Sequence, residues 1–331
     1  MDEMRVVITG GFGFIGTMVA RELLTTGTFQ GRELTELVVA DRFVPRDDDA
    51  ITADPRTTVV EGDLSETMST IFARRVDAVL HLASAVSAEA EADFDLGMTA
   101  NVQSTLALLE AARHQSGAPA TVVFSSSVAV YGSDPALPLP DVVSESTLPT
   151  PQSSYGTQKF ICEQLVADYT RKGFIDGRVA RLMTVAVRPG KPNAAASGFL
   201  SGIIREPLAG IATVCPVRPE LSVALASPRR TVEGLLRVAQ VEGGDDRGKL
   251  SGRIAVNLPA LTVTVAEMLD TLRRVAGNAV ADLVSVEPDP AVEAIVGSWP
   301  SRFDNSRAAA LGLTGDASFA DVVAQYRDDN L

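Results

Sequence analysis

The chain has 331 residues, 46% of them hydrophobic, enough to bury a large core as one big domain or two closely joined ones. Its formal net charge of -13 comes from acidic residues spread along the sequence, which argues against nucleic acid or an anionic membrane as partner and leaves a small molecule as the default. No stretch is apolar and long enough to span a bilayer, and the start from Met1 through Asp2 and Glu3 lacks a signal-peptide pattern. The two cysteines, Cys162 and Cys215, have no metal-ligand spacing, so a reducing cytoplasm without bound metal is expected.

In chain order, an apolar strand is predicted over Arg5 to Thr9, a helix over Phe14 to Thr25 and a buried strand over Leu37 to Ala40, together a β-α-β unit. Strands follow at Thr58 to Glu61, Asp77 to His81, Ala120 to Phe124 and Val179 to Val187, with helices over about 89–114 and 153–172. This alternation predicts an α/β fold, a Rossmann-type doubly wound parallel sheet of about seven strands. A dinucleotide-binding domain is expected over residues 1–188, with pieces returning around 228–257. Residues 189–331 are expected to form most of a smaller C-terminal substrate lobe, interleaved with it.

Directly after the first strand stands TGGFGFIG, with Gly10, Gly13 and Gly16 spaced three apart and Phe14 and Ile15 opening the helix. Such glycines permit a tight turn and close backbone approach to a pyrophosphate, whose charge the helix N-terminus then favours. Asp41 ends the second strand, where a carboxylate accepts from both hydroxyls of an adenosine ribose and repels a 2′-phosphate. NAD is therefore expected over NADP, although the following Arg42 softens that preference.

The strand ending in Ser125, Ser126 and Ser127 precedes, after a proline-rich loop, a helix with Tyr155 and Lys159 one turn apart on one face. A cation roughly 5 Å from a phenolate, at an effective dielectric of about 20, stabilises it by on the order of 3 kcal/mol. That arrangement suits proton transfer coupled to hydride exchange. His81, at the end of an apolar strand, reads as a hydrogen-bonded core residue, and His114 as a cation serving the C-terminal end of its helix.

TGGFGFIG, GDLS, HLAS, FSSSVAVYG and SYGTQK, in that order, resemble the successive signatures of the extended short-chain dehydrogenases, the epimerase/dehydratase family, over nearly the whole chain. The resemblance implies that Ser127 orients the substrate oxygen, that Tyr155 exchanges the proton, and that Lys159 holds the nicotinamide ribose. It implies that Asn101 supports Lys159 through water, that Asp63 and Leu64 flank adenine, and that Leu82, Ala83, Ser84, Ser126 and Pro189 line the cofactor site. It also implies a homodimer, paired through the helices carrying Asn101 and Tyr155.

The family's 4,6-dehydratases carry an Asp-Glu pair where this chain has Val128 and Ala129, and its epimerases carry a diphosphate-binding run where this chain reads ASPRRTVEGL. HLASAVSAEAEADFDLG, VRPGKPNAAASGF and VNLPALTVTVAEMLD resemble instead an NAD-dependent branch that oxidises the 2-hydroxyl of a four-carbon sugar acid, D-erythronate. Nucleotide-sugar epimerisation or reduction, and a non-catalytic NAD sensor, are the alternatives. A sugar acid needs a cation for its carboxylate. Arg230, Lys191 and Arg229 are the candidates, with Asn193, Ser87, Ser127 and, more weakly, Ser197 for the rest of the substrate.

Overall fold

The computed structural model describes residues 4–45, 50–190, 197–244, 246 and 248–331. Its main sheet is built from short, nearly continuous apolar runs: β1 (Met4–Thr9), β2 (Arg32–Asp41), β3 (Thr57–Glu61), β4 (Ala78–His81), β5 (Thr121–Ser127), β6 (Asp176–Leu182) and β7 (Val256–Asn257). All neighbours are parallel, in the order β3-β2-β1-β4-β5-β6-β7, with the two-residue strand Thr28–Phe29 antiparallel beside β2. Strands such as MRVVIT, buried at every position, require cover on both faces. That cover comes from α1 (Phe14–Thr26), α2 (Leu64–Ile71), α3 (Ser104–His114), α4 (Ser154–Arg171) and α6 (Pro228–Gln240), introduced here with α5 (Gly198–Leu208).

The chain winds outward from β1 in both directions, so β1 and β4 flank a topological switch point. Loops leaving the carboxyl ends of these two strands diverge and open a crevice. Everything the sequence offers for chemistry leaves the sheet at that end: Gly10 after β1, Asp41 on β2, Asp63 after β3, Leu82 after β4 and Ser127 on β5.

A second core lies beyond β6, where Leu200, Ile203 and Ile204 of α5 pack with Met268 and Leu272 of α7 (Val265–Ala276) and Val322 and Val323 of α8 (Phe319–Asn330). A three-stranded sheet belongs to it, with Ser222–Ala226 between Leu261–Thr264 and Thr184–Val185. Thr264 and Glu267 close a capping box at the start of α7. α6 and β7 return to the main sheet, α6 supplying Leu235 and Val238 to its core. Among the described residues no helix is long and apolar enough to cross a membrane.

Two predicted elements are interrupted. The helix expected over 89–114 is four pieces, because Asp93 turns extended and caps a new start through Leu96 N, after which Met98–Gln103 forms a π turn leading into α3. The strand expected from Val179 to Val187 leaves the main sheet after Leu182, and Thr184 and Val185 pair with Leu225 and Ala226 instead. Alternation of apolar residues runs through both breaks, so hydrophobic periodicity alone carries no trace of them.

Candidate active site

A cleft of about 740 Å³ opens at the switch point. Its floor is the glycine turn. Gly10 has φ +67°, and a Cβ there would stand 2.7 Å from Ala83 N, while a Cβ on Gly16 would stand 2.1 Å from Gly10 O. Gly13 caps α1 without a side chain, and the N–H groups of Phe14, Ile15 and Gly16 have no acceptor among the described residues. Three orphan donors at a helix start, unobstructed by any Cβ, fit a dinucleotide's pyrophosphate.

Asp41 is fixed by two backbone donors, Phe12 N (2.9 Å) and Phe43 N (3.2 Å), which leave acceptor capacity facing the cleft. Asp63 caps α2; its carboxyl is held below the ordinary range by the Ser65 hydroxyl and then the Ser65 N–H, and it lines the cleft with Leu64. Leu82, Ala83 and Ser84 form the opposite wall. NAD thus fits the residues present, from the adenosine end at Asp41 to the catalytic end at Tyr155.

At the catalytic end, the Ser127 hydroxyl accepts from Ala129 N (3.1 Å), starting a single turn over Val128–Val130. Ser153 caps α4 so that Tyr155 falls in its first turn. A Cβ on Gly156 would lie 2.1 Å from Ala129 O, so this glycine lets α4 close onto that turn. Ser127 and Tyr155 consequently line one cleft. The Tyr155 hydroxyl has no partner among the described residues. Lys159 is 3% exposed; its Nζ donates to Ser125 O (2.9 Å) and sits 5.5 Å from the centroid of the Tyr155 ring.

Asn101 does not reach Lys159 through any protein contact shown. Its Oδ1 accepts from Ala85 N (2.8 Å) and Ser84 Oγ (2.9 Å), and its Nδ2 donates to Gln158 Oε1 (2.7 Å). It ties the loop after β4 to the helix that carries Lys159. The Ser126 hydroxyl is committed to Glu163 (2.5 Å), so although the residue borders the cleft it offers no free donor there.

His81 is 1% exposed between the hydroxyls of Thr9 (2.7 Å) and Thr105 (2.9 Å). Burial, then the Lys159 charge, pushes it down to about 3, so it is neutral in the folded protein. The unfolded chain, with an ordinary histidine, binds the extra proton first, and this contribution to stability is complete above about pH 6.5 and declines as the pH falls toward 3. At pH 4.5 the loss reaches about 3 kcal/mol. His81→Gln should therefore show a shallower decline of unfolding free energy between pH 7 and 4.5 in denaturant titrations. An unchanged slope would contradict the assignment.

Of the expected substrate cations, Arg229 and Arg230 begin a helix as expected, α6 with its Ser227 cap, and do not line this cleft. Arg229 pairs with Asp329 of α8, and Arg230 with Glu233 (2.6 Å) and Thr314 (3.1 Å). Lys191 and Asn193 lie outside the described residues. Ser87 begins the short helix Ser87–Ala92 between the lining residues Val86 and Glu89 without lining the cleft itself. Pro189 and Ser197 border a small annex of about 140 Å³, which shares Phe14 and Arg188 with the cleft.

Sequence reasoning placed the Arg188-Pro189 strand end toward the cofactor site and gave Arg188 no role of its own. It lines both cleft and annex, its Nε donates to Val185 O (3.1 Å), and its terminal nitrogens have no partner among the described residues. Burial lowers its pKa from the ordinary value, an effect that the nearby Tyr155 opposes. The signal was its position at the end of an apolar strand, where a cation is out of place unless something pairs with it.

A dinucleotide turn at the switch point, an acidic residue ending the second strand, and serine, tyrosine and lysine converging beside it define the short-chain dehydrogenase class, NAD-dependent oxidoreductases. The sequence matches the NAD dependent epimerase/dehydratase family over residues 6–218, and the chain belongs to that family. It is 50% identical to D-erythronate dehydrogenase of Cupriavidus necator and 41% identical to that of Haemophilus influenzae, in both cases over 98% of each chain. Among solved structures, a nucleoside-diphosphate-sugar epimerase from Agrobacterium tumefaciens superposes with a TM-score of 0.91 at 37% identity, covering 99% of this chain and 95% of that one.

Proposed function

We propose that the protein oxidises the 2-hydroxyl of a small sugar acid, D-erythronate, to the 2-keto acid with NAD, Tyr155 acting as general base. The observation that carries this reading is the similarity, along nearly their whole length, to D-erythronate dehydrogenases from two organisms, joined to a cleft in which the Tyr155 hydroxyl is free. NAD, when bound, supplies the hydride acceptor for the hydrogen leaving C2.

Tyr155 Oη takes the proton of the C2 hydroxyl as the carbonyl forms. Ser127 Oγ–H donates to the same oxygen, fixing which hydroxyl faces Tyr155. Lys159, anchored on Ser125 O, presents its charge to the face of the tyrosine ring. Asp41 would receive the adenosine ribose hydroxyls of NAD, and Phe14, Ile15 and Gly16 would give their N–H groups to its pyrophosphate.

The test is a screen of four- to six-carbon aldonates with NAD and NADP side by side, followed by NADH absorbance. D-Erythronate with NAD should give the highest kcat/KM. A second reading, nucleotide-sugar epimerisation, draws on the likeness to the Agrobacterium structure. It would prevail if no aldonate changed the absorbance while a nucleotide sugar was interconverted.

A further inference from the structure

We propose that Arg188 is the residue that binds the substrate carboxylate, with the annex beside it as the carboxylate subsite. The proposal rests on the sugar-acid reading given above. A 2-hydroxy acid carries its carboxylate on the carbon next to the reacting one, so its cation must stand beside Tyr155. Among the described residues the cleft is lined by Arg42, Lys159 and Arg188. Arg42 follows Asp41 at the adenosine end, and Lys159 is spent on Ser125 O and Tyr155. Arg188 remains, lining the same cleft as Tyr155.

Its neighbours hold it as a preformed fork. The Arg188 N–H donates to Ser201 Oγ (3.0 Å), its carbonyl accepts from Arg205 Nη1 (2.8 Å), and its Nε is pinned on Val185 O (3.1 Å). Arg205 is itself paired with Glu206, so it serves as a clamp and leaves the anion to Arg188. A half-buried guanidinium without a carboxylate partner among the described residues is costly, and a chain that retains one has placed it for an anion that arrives. Two parallel N–H donors match the two oxygens of a carboxylate. The annex, about 140 Å³, holds that group and little more.

Phe14 also borders the annex, so the pyrophosphate of the cofactor is the competing anion. The experiment separates the two. Wild type, Arg188→Gln and Arg188→Lys are titrated with NADH, and each NADH complex is then titrated with D-erythronate and with tartronate by calorimetry, alongside steady-state kinetics. Arg188→Gln should weaken carboxylate binding and lower kcat/KM for the acid roughly 100-fold or more. NADH affinity should stay within about twofold, and Arg188→Lys, which keeps the charge without the fork, should recover part of the loss.

Weakened NADH binding with the carboxylate affinity unchanged would assign Arg188 to the pyrophosphate and overturn the proposal. So would equal carboxylate titrations, or none, in wild type and Arg188→Gln. If the wild type bound tartronate through Arg188 yet oxidised no aldonate, the functional reading would fail while this one stood.

Discussion

Tyr155→Phe should leave a folded protein that binds NADH as the wild type does, while turnover of D-erythronate falls by a factor of about 100 to 10,000. The substitution removes one oxygen, and that oxygen has no partner to strand among the described residues. The ring remains beside Lys159, and Gly156 still closes α4 onto Ala129. What disappears is the hydroxyl that the proposed reaction uses as its base, beside Ser127 and Lys159 in the cleft. Steady-state kcat, paired with an NADH fluorescence titration, separates lost chemistry from lost cofactor. Retention of turnover within tenfold would remove Tyr155 from the reaction. Survival of the protein's biological effect in this variant would favour the NAD-sensor alternative.

The fold and the geometry of the glycine turn were legible because each depends on residues close in sequence. A glycine at φ +67° after an apolar strand, and a carboxylate ending the next strand, are local constraints that reach the sequence directly. The placement of Tyr155 and Lys159 in one cleft was legible for the same reason, since they share one face of one helix. The substrate half is different in kind. Whether Arg188 or Arg230 lines the cleft depends on who else is nearby: Glu233 and Asp329 draw two arginines away, while the third has no acid beside it among the described residues. Partners that come from distant elements leave no spacing to read. The π turn around Asn101 was hidden likewise, since its effect is to turn one buried amide toward Ala85 and Gln158.

Behind the catalytic strand lies the second large expected effect. Glu163 and Arg181, with side chains 3% and 6% exposed, form a bidentate pair at 2.8 and 2.6 Å. Burial opposes the charge on Arg181, and the hydrogen bond and charge of Glu163 outweigh it, so its pKa is raised. Arg181 also donates to Tyr131 OH (2.5 Å), which donates in turn to Asn257 on β7, and Glu163 accepts from Ser126. One pair thus joins α4, β5, β6 and β7 directly behind Ser127 and one helical turn beyond Lys159. Glu163→Gln should strand a buried guanidinium and lower the unfolding free energy by about 3–5 kcal/mol, read as a shift in the denaturant midpoint at unchanged slope. Arg181→Met should do the same from the other side. Joining Glu163→Met to Arg181→Met leaves no unpaired charge, so the double variant should lose far less than the two single losses added together. Additive losses would mean that the two charges are independently solvated and that the pair does not hold the site. In the folded fraction of Glu163→Gln, kcat should fall by of order tenfold to a hundredfold with KM for NAD little changed, because β5 loses the brace that Glu163 and Arg181 give it beside Ser127, while the glycine turn follows β1, two strands from β5.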